Sequence, residues 1–165
     1  MNQRIRTVLQ LIGCILLCQA AGLIGAAGMR SEATWAWYNS LAKPPINPPG
    51  WVFGPVWTTL YTLMGIALWM VLRHGKGHPL FRRAVLLFLA QLALNALWTP
   101  LFFWWQQIGL ALLDLTLLLV LLILTILSFR KIRPLAAWLL LPYVLWAGFA
   151  LVLNAWLVLL NGNYS

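Results

Sequence analysis

Five long apolar stretches follow one another along the chain, at about residues 7–28, 51–72, 82–103, 108–129 and 135–160, with short polar breaks between them. A bilayer core of ~30 Å takes about 20 residues of helix at ~1.5 Å each, so each stretch is long enough to span. The breaks carry charge, proline or glycine, the residues that end helices. Pro48-Pro49-Gly50 bars pairing ahead of the second stretch, which then runs unbroken from Trp51 to Leu72, with Pro55 tolerated near its first turn. The pattern predicts an all-α membrane protein, a single five-helix transmembrane bundle over residues 1–165. No internal repeat is visible, and five spans do not divide into the equal halves of an inverted-repeat transporter.

Composition agrees with a lipid-embedded chain. Of 165 residues, 63% are hydrophobic and 8% charged, against about 25% charged in soluble domains. A net charge of +9 would point to nucleic acid in a soluble protein. Here the cations sit in the breaks, so they are read as a topology signal, with no nucleic-acid partner. Arg4, Arg6, Arg73, Lys76, Arg82, Arg83, Arg130, Lys131 and Arg133 fall on one side, and only Arg30 and Lys43 on the other. The positive-inside rule then predicts a cytoplasmic N-terminus and a C-terminus outside, in a bacterial inner membrane. The connection 29–50 faces outward, with Trp35, Trp37 and Tyr38 as interface anchors or as a cover over the bundle. Arg4 and Arg6 before an apolar run imitate a signal peptide, but the run to Met29 is too long for one, although Ala26-Ala27-Gly28 offers small residues. Cys14 and Cys18, four apart on one apolar helix face, are read as reduced packing residues.

The first connection and second span read Trp37-Tyr38-Asn39-Ser40-Leu41-Ala42-Lys43-Pro44-Pro45-Ile46-Asn47-Pro48-Pro49-Gly50-Trp51-Val52-Phe53-Gly54-Pro55-Val56-Trp57. Further on come Gln91-Leu92-Ala93-Leu94-Asn95-Ala96-Leu97-Trp98, Ala111-Leu112-Leu113-Asp114 and Pro142-Tyr143-Val144-Leu145-Trp146, ending in Leu153-Asn154. In this order the segments resemble the TspO/MBR family of tryptophan-rich sensory and translocator proteins. The resemblance implies a five-helix membrane receptor or carrier, often a homodimer, whose ligands include porphyrins, haem-like tetrapyrroles, sterols and synthetic aromatic compounds. It places ligand-facing indoles at Trp57 and Trp146, with Asn95, Ala150 and Leu153 in the same pocket. Some relatives degrade protoporphyrin in light, which would make Trp57 and Trp146 the oxidisable groups. One departure counts against sterols: Ala155 follows Asn154 where the animal pattern has Tyr, and no Lys or Arg comes after it. That departure, with no mitochondrial presequence, implies a bacterial member.

The residues carry their own reading. Counted from the proposed span ends, Trp57, Asn95, Asp114 and Asn154 share one depth in the outward half. Polar groups at membrane depth face a cavity or pair between helices, and both readings stay open. Three helical stripes alternate rings with gaps: Trp57, Tyr61, Gly65, Trp69; Gln91, Asn95, Trp98, Phe102; and Trp146, Ala150, Leu153, Asn154. They supply indole faces, space beside Gly65 and Ala150, and donors from the indole N–H groups, Tyr61 and Asn95, the make-up of an apolar ligand site; plain packing or an interface belt is the alternative. Lys43, Pro44, Pro48, Pro49 and Trp51 are read as a stiff lid over the mouth, or as a rigid spacer. Asp114 is the one acid inside a span, read as a cap or an amide partner because no titratable partner shares its depth. His74 and His78 lie in the basic second connection, away from the pocket, so no metal site is expected there. No triad, paired carboxylates, phosphate loop or zinc constellation is present, so hydrolysis and phosphoryl transfer are not expected. A ligand-independent scaffold or channel is the remaining alternative. For a dimer, Ala90, Ala93 and Ala96 offer one close-approach face, and Gly22 with Ala26 another.

Overall fold

The structure is a computed structural model, and it describes residues 2–26 and 31–162. Ala27, Gly28, Met29 and Arg30, which carry part of the signal-peptide and topology readings, lie outside the described residues. Among the described residues five helices are long and apolar enough to cross a membrane. They are α1 (Gln3–Ala26), α3 (Gly50–His74), α4 (Phe81–Thr99) with its continuation to Trp104, α5 (Ile108–Ile132), and α7 (Leu141–Leu160), which follows the short α6 (Pro134–Trp138). The all-α membrane bundle expected from the apolar pattern is therefore the architecture found. The Arg and Lys clusters gather at one end, called here the basic end; α2 (Glu32–Ser40) marks the other.

Three local features differ from the pattern-based expectation, each for a backbone reason. The first connection contains a helix, α2, because Ser31 caps it: its hydroxyl accepts the Thr34 N–H at 3.1 Å, and Glu32 sits in the first turn. The third span does not end as a regular helix. Pro100 has no N–H to continue the ladder, and Pro100–Trp104 widens into a π-helical turn in which the Trp105 N–H bonds the Pro100 carbonyl at 3.0 Å. Gln106, at φ 56°, then reverses the chain into α5. The fifth span, expected to run continuously over 135–160, breaks at Leu139-Leu140, because Pro142 cannot donate to the turn before it.

Packing sets a ring order of α3, α1, α4, α5, α7. Between α1 and α3 the backbones nearly touch: a Cβ on Gly65 would lie 2.5 Å from the Ile15 Cα. This closeness suits a membrane bundle, where association rests on contact rather than on expelling water. The pair is pinned by Gln19, whose amide donates to the Thr58 carbonyl at 3.0 Å and to the Thr62 hydroxyl at 3.1 Å. Phe88 of α4 stacks on Phe129 of α5 with ring centroids 5.7 Å apart. Cys14 and Cys18 are free thiols buried in this core, as packing residues should be.

The ring does not close evenly. At the basic end α6 packs on α3, but among the described residues α7 makes no comparable backbone packing against α3. Toward the α2 end the two helices meet through aromatic side chains, a seam called here the cleft.

Candidate functional site

Two rungs of aromatic rings cross that cleft. Phe53 of α3 meets Trp146 of α7 at 5.9 Å, and one turn deeper Trp57 meets Tyr143 at 6.2 Å, both edge-on. The pairs 53–146 and 57–143 match antiparallel helices in register. Trp57 also lies nearly flat on Tyr61, at 5.3 Å and 27°. Trp57 and Trp146 are each half-buried, their rings turned into the cleft rather than lost in the core or pointed wholly at lipid.

Beneath the rungs is a buried polar relay through three helices. The Tyr61 hydroxyl donates to the Asn95 carbonyl oxygen, and the Asn95 amide donates to the Tyr143 hydroxyl at 2.8 Å. All three residues are buried, so each bond replaces hydration that the bilayer cannot supply. Tyr61 takes its position because α1 carries glycine opposite it: a Cβ on Gly22 would stand 2.2 Å from the ring. Trp57, Tyr61 and Asn95 thus come together as the stripes predict. Tyr143 and Phe53 complete the group, and reading the stripes by residue missed them. Both were visible in principle, Phe53 one turn before Trp57 and Tyr143 three residues before Trp146.

Other expected members stand apart. Asn154 is not at the depth of Asn95: its amide donates to the Ile108 carbonyl at 3.3 Å, at the very start of α5. That point is six residues, about 9 Å along the helix, outside Asp114. Continuing the 53–146 register puts Ala150 level with the start of α3, and Leu153 and Asn154 beyond it. α7 overshoots α3, so equal distances from span ends do not mean equal depths. The single polar level expected from the sequence is two levels, a deep relay and an outer contact. Trp98 belongs to a neighbouring aromatic cluster, stacked on Phe102 at 5.1 Å, and its indole N–H has no partner. The space expected beside Gly65 is filled by α1. Asp114 is buried, and neither carboxyl oxygen has a hydrogen-bond partner, so the cap or amide contact expected for it is not made.

The first connection covers the α2 end of this arrangement. Leu41 is buried against Phe102, Phe103, Ile108, Ala111 and Leu157. Asn161, just past α7, accepts the Ala42 N–H and donates to the Ala42 carbonyl, both at 2.9 Å. Residues 42–49 therefore run from the end of α7 to the start of α3, the two helices that flank the cleft. Pro44 is buried and Pro48 half-buried, while Pro49 is exposed. Lys43 lies over the Tyr38 ring at 4.6 Å, and its ammonium donates to the Asn39 and Leu41 carbonyls, each at 3.3 Å. Trp51 departs from its expected place in the lid: it is 77% exposed, a ring turned outward from the bundle. Asn161, which ties the segment down, lay beyond the last span and had no sequence signal.

Among the described residues no group of three or more His, Cys, Asp or Glu side chains could hold a metal ion. His74 bonds the Met70 carbonyl and His78 the Leu80 N–H, both at the basic end.

A bundle of five membrane-spanning helices, with aromatic side chains of α3 and α7 meeting near the α2 end, is the class that the fold defines. Comparison with known proteins agrees. The TspO/MBR family profile matches residues 14–159. The chain is 40% identical over 156 residues to the tryptophan-rich protein TspO of Chlorobaculum tepidum, covering 94% of this chain and 98% of that one. It is 41% identical over 146 residues to the translocator protein of Bos taurus, covering 87% and 85%, and 38% identical over 147 residues to the tryptophan-rich sensory protein of Cereibacter sphaeroides, covering 88% and 87%. The chain belongs to the TspO/MBR family.

Proposed function

We propose that this protein is a membrane receptor or carrier for flat hydrophobic ligands of the porphyrin or tetrapyrrole type, taken up between α3 and α7. The observation that carries the reading is that these two helices, toward the α2 end, face each other through two aromatic ring pairs without close backbone packing. A planar ligand that slips between Phe53 and Trp146, and between Trp57 and Tyr143, exchanges one set of ring contacts for another and leaves the backbone packing elsewhere intact. Below it, the Tyr61–Asn95–Tyr143 relay supplies polar groups; Ala150, level with the start of α3, stands above the rungs, and residues 42–49 close the mouth as a lid. The names of the relatives, translocator protein and sensory protein, accord with a binding role. The basic end faces the cytoplasm of a bacterial inner membrane under the positive-inside rule. The protein acts as a homodimer through the exposed small-residue face of α4.

Titration of the purified protein with protoporphyrin, followed by tryptophan quenching, tests the site. Trp146→Ala weakens binding by about tenfold, since an indole face is lost. Trp138→Ala, a 67% exposed ring at the basic end, leaves the affinity unchanged. Equal affinities in wild type and Trp146→Ala would remove the cleft from consideration.

A further inference from the structure

The grooves of the molecule are not confined to the cleft. At the basic end a groove of about 360 Å³ runs along α1, lined by Gln10, Gly13, Cys14 and Leu17 on one side and on the other by Leu68 and Leu72 of α3, Lys76 of the turn after it and Phe81 at the start of α4. On α1 the lining residues recur at three- and four-residue spacing, and Leu68 and Leu72 are one turn apart on α3, so each helix offers one strip, with Lys76 in the turn just beyond the end of α3. The strips are polar at the basic end and apolar further in. Gly13 gives the groove its depth, because a Cβ there would meet nothing within 4 Å.

The charge at its mouth is uncompensated. Lys76 lines the opening; Arg73, outside the lining but in the last turn of α3, is held by a 2.7 Å hydrogen bond to the Thr7 hydroxyl and lies 5.7 Å over the Trp69 ring. Thr7 is one turn of α1 from Gln10, so the guanidinium is fixed at the same end of the same helix pair. The chain has only two acidic residues. Glu32 is on α2 and Asp114 on the α2-proximal part of α5, so neither can serve these cations as a counter-ion. A positioned guanidinium, an ammonium and an amide above an apolar channel match the phosphodiester and acyl chain of an anionic phospholipid.

We propose that the α1–α3 groove is a specific site for an anionic phospholipid, with the phosphate on Arg73 and Lys76 and one acyl chain along Gly13, Leu17, Leu68 and Leu72. The lipid is a wedge in the lipid-facing seam of the helix pair that also carries Gly22 and Tyr61. The site lies at the opposite end from the cleft and does not depend on what the cleft binds.

Native mass spectrometry of the delipidated full chain, with phosphatidylglycerol or phosphatidylcholine of matched acyl chains added, tests this. Wild type retains phosphatidylglycerol at least tenfold better than phosphatidylcholine, and Arg73→Gln with Lys76→Gln removes about that tenfold preference. Gly13→Leu fills the groove without touching charge and in a helix that favours leucine over glycine, and it lowers phosphatidylglycerol retention by a similar factor. Arg130→Gln with Lys131→Gln removes the same charge at the end of α5 and changes retention by less than about twofold. Inorganic phosphate does not displace the lipid. An equal loss in the α5 pair would mean a diffuse basic belt, and wild-type retention in Gly13→Leu would mean no seated chain; either result overturns the site.

Discussion

Asn95 does more than any other single residue to join the helices around the cleft. It accepts from one buried phenol and donates to another, so it links α3, α4 and α7 through one amide. Replacing it with leucine strands two hydroxyls in a place water does not reach. Orphaned groups of this kind cost roughly 1–3 kcal/mol each in soluble proteins, and interhelical bonds in membranes average nearer 0.6 kcal/mol. Asn95→Leu is therefore expected to lower stability in detergent by about 1–2 kcal/mol, read from thermal unfolding followed by tryptophan emission. The more telling result is coupling: Tyr61→Phe added to Asn95→Leu costs much less than it does in wild type, because its partner is already gone. Strict additivity would show that the two groups do not interact. Gly22 sets the other side of this arrangement. Even alanine there would press a methyl into the Tyr61 ring, so the position tolerates no larger side chain without moving the phenol out of the relay.

Among the elements, the connection from α2 to α3 shows how a proline-rich segment is held without regular secondary structure. Besides one backbone turn, in which the Asn47 N–H bonds the Pro44 carbonyl at 3.0 Å, it is tied by a side chain: Asn161 engages both backbone groups of Ala42, and Leu41 beside it is buried. Asn161→Leu removes both bonds and leaves Leu41 packed. Amide exchange at Ala42 is expected to quicken by about tenfold, the effect of losing roughly 1–1.5 kcal/mol of local protection, while exchange in the middle of α5 is unchanged. Unaltered exchange at Ala42 would mean that Leu41 alone holds the segment. The same element marks where sequence reading ran short. Five spans were legible because length and apolarity alone decide them. α2 was not, since a nine-residue helix rests on one serine cap that weighs little against a tryptophan-rich, proline-flanked context. The break before Pro142 and the π-turn after Thr99 were likewise hidden, because the apolar run continues through both and only the missing proline N–H interrupts the ladder.

At the scale of the whole molecule, the stripes placed Trp57, Tyr61 and Asn95 together correctly, but nothing in one sequence tells how far one helix slides past another. That offset is why Asn154 lies outside the deep relay, and why Asp114 has no amide partner. The same limit applied to the two small-residue faces offered for pairing between copies, and here the structure separates them. Gly22 is covered by Tyr61 of its own chain, so the α1 face is occupied where its smallest residue lies. On α4, Ala90 and Ala93 are exposed and flanked by exposed Leu86, Leu89 and Leu97, a shallow strip with ridges on both sides. Lipid tails gain little by leaving leucine, so association depends on how closely backbones approach, and alanines on an open strip allow that approach. A cysteine at Ala93 should therefore cross-link two copies in native membranes, whereas one at Leu16, on the lipid-facing side of α1, should not. The native thiols at 14 and 18 are buried and give little background. Ala93→Trp, which raises the floor of the strip above its ridges, should shift the protein to monomer in mild detergent, seen by light scattering, with the helix content unchanged. Dimers that survive Ala93→Trp and cross-link through Leu16→Cys would move the contact to α1 and leave the α4 strip facing lipid.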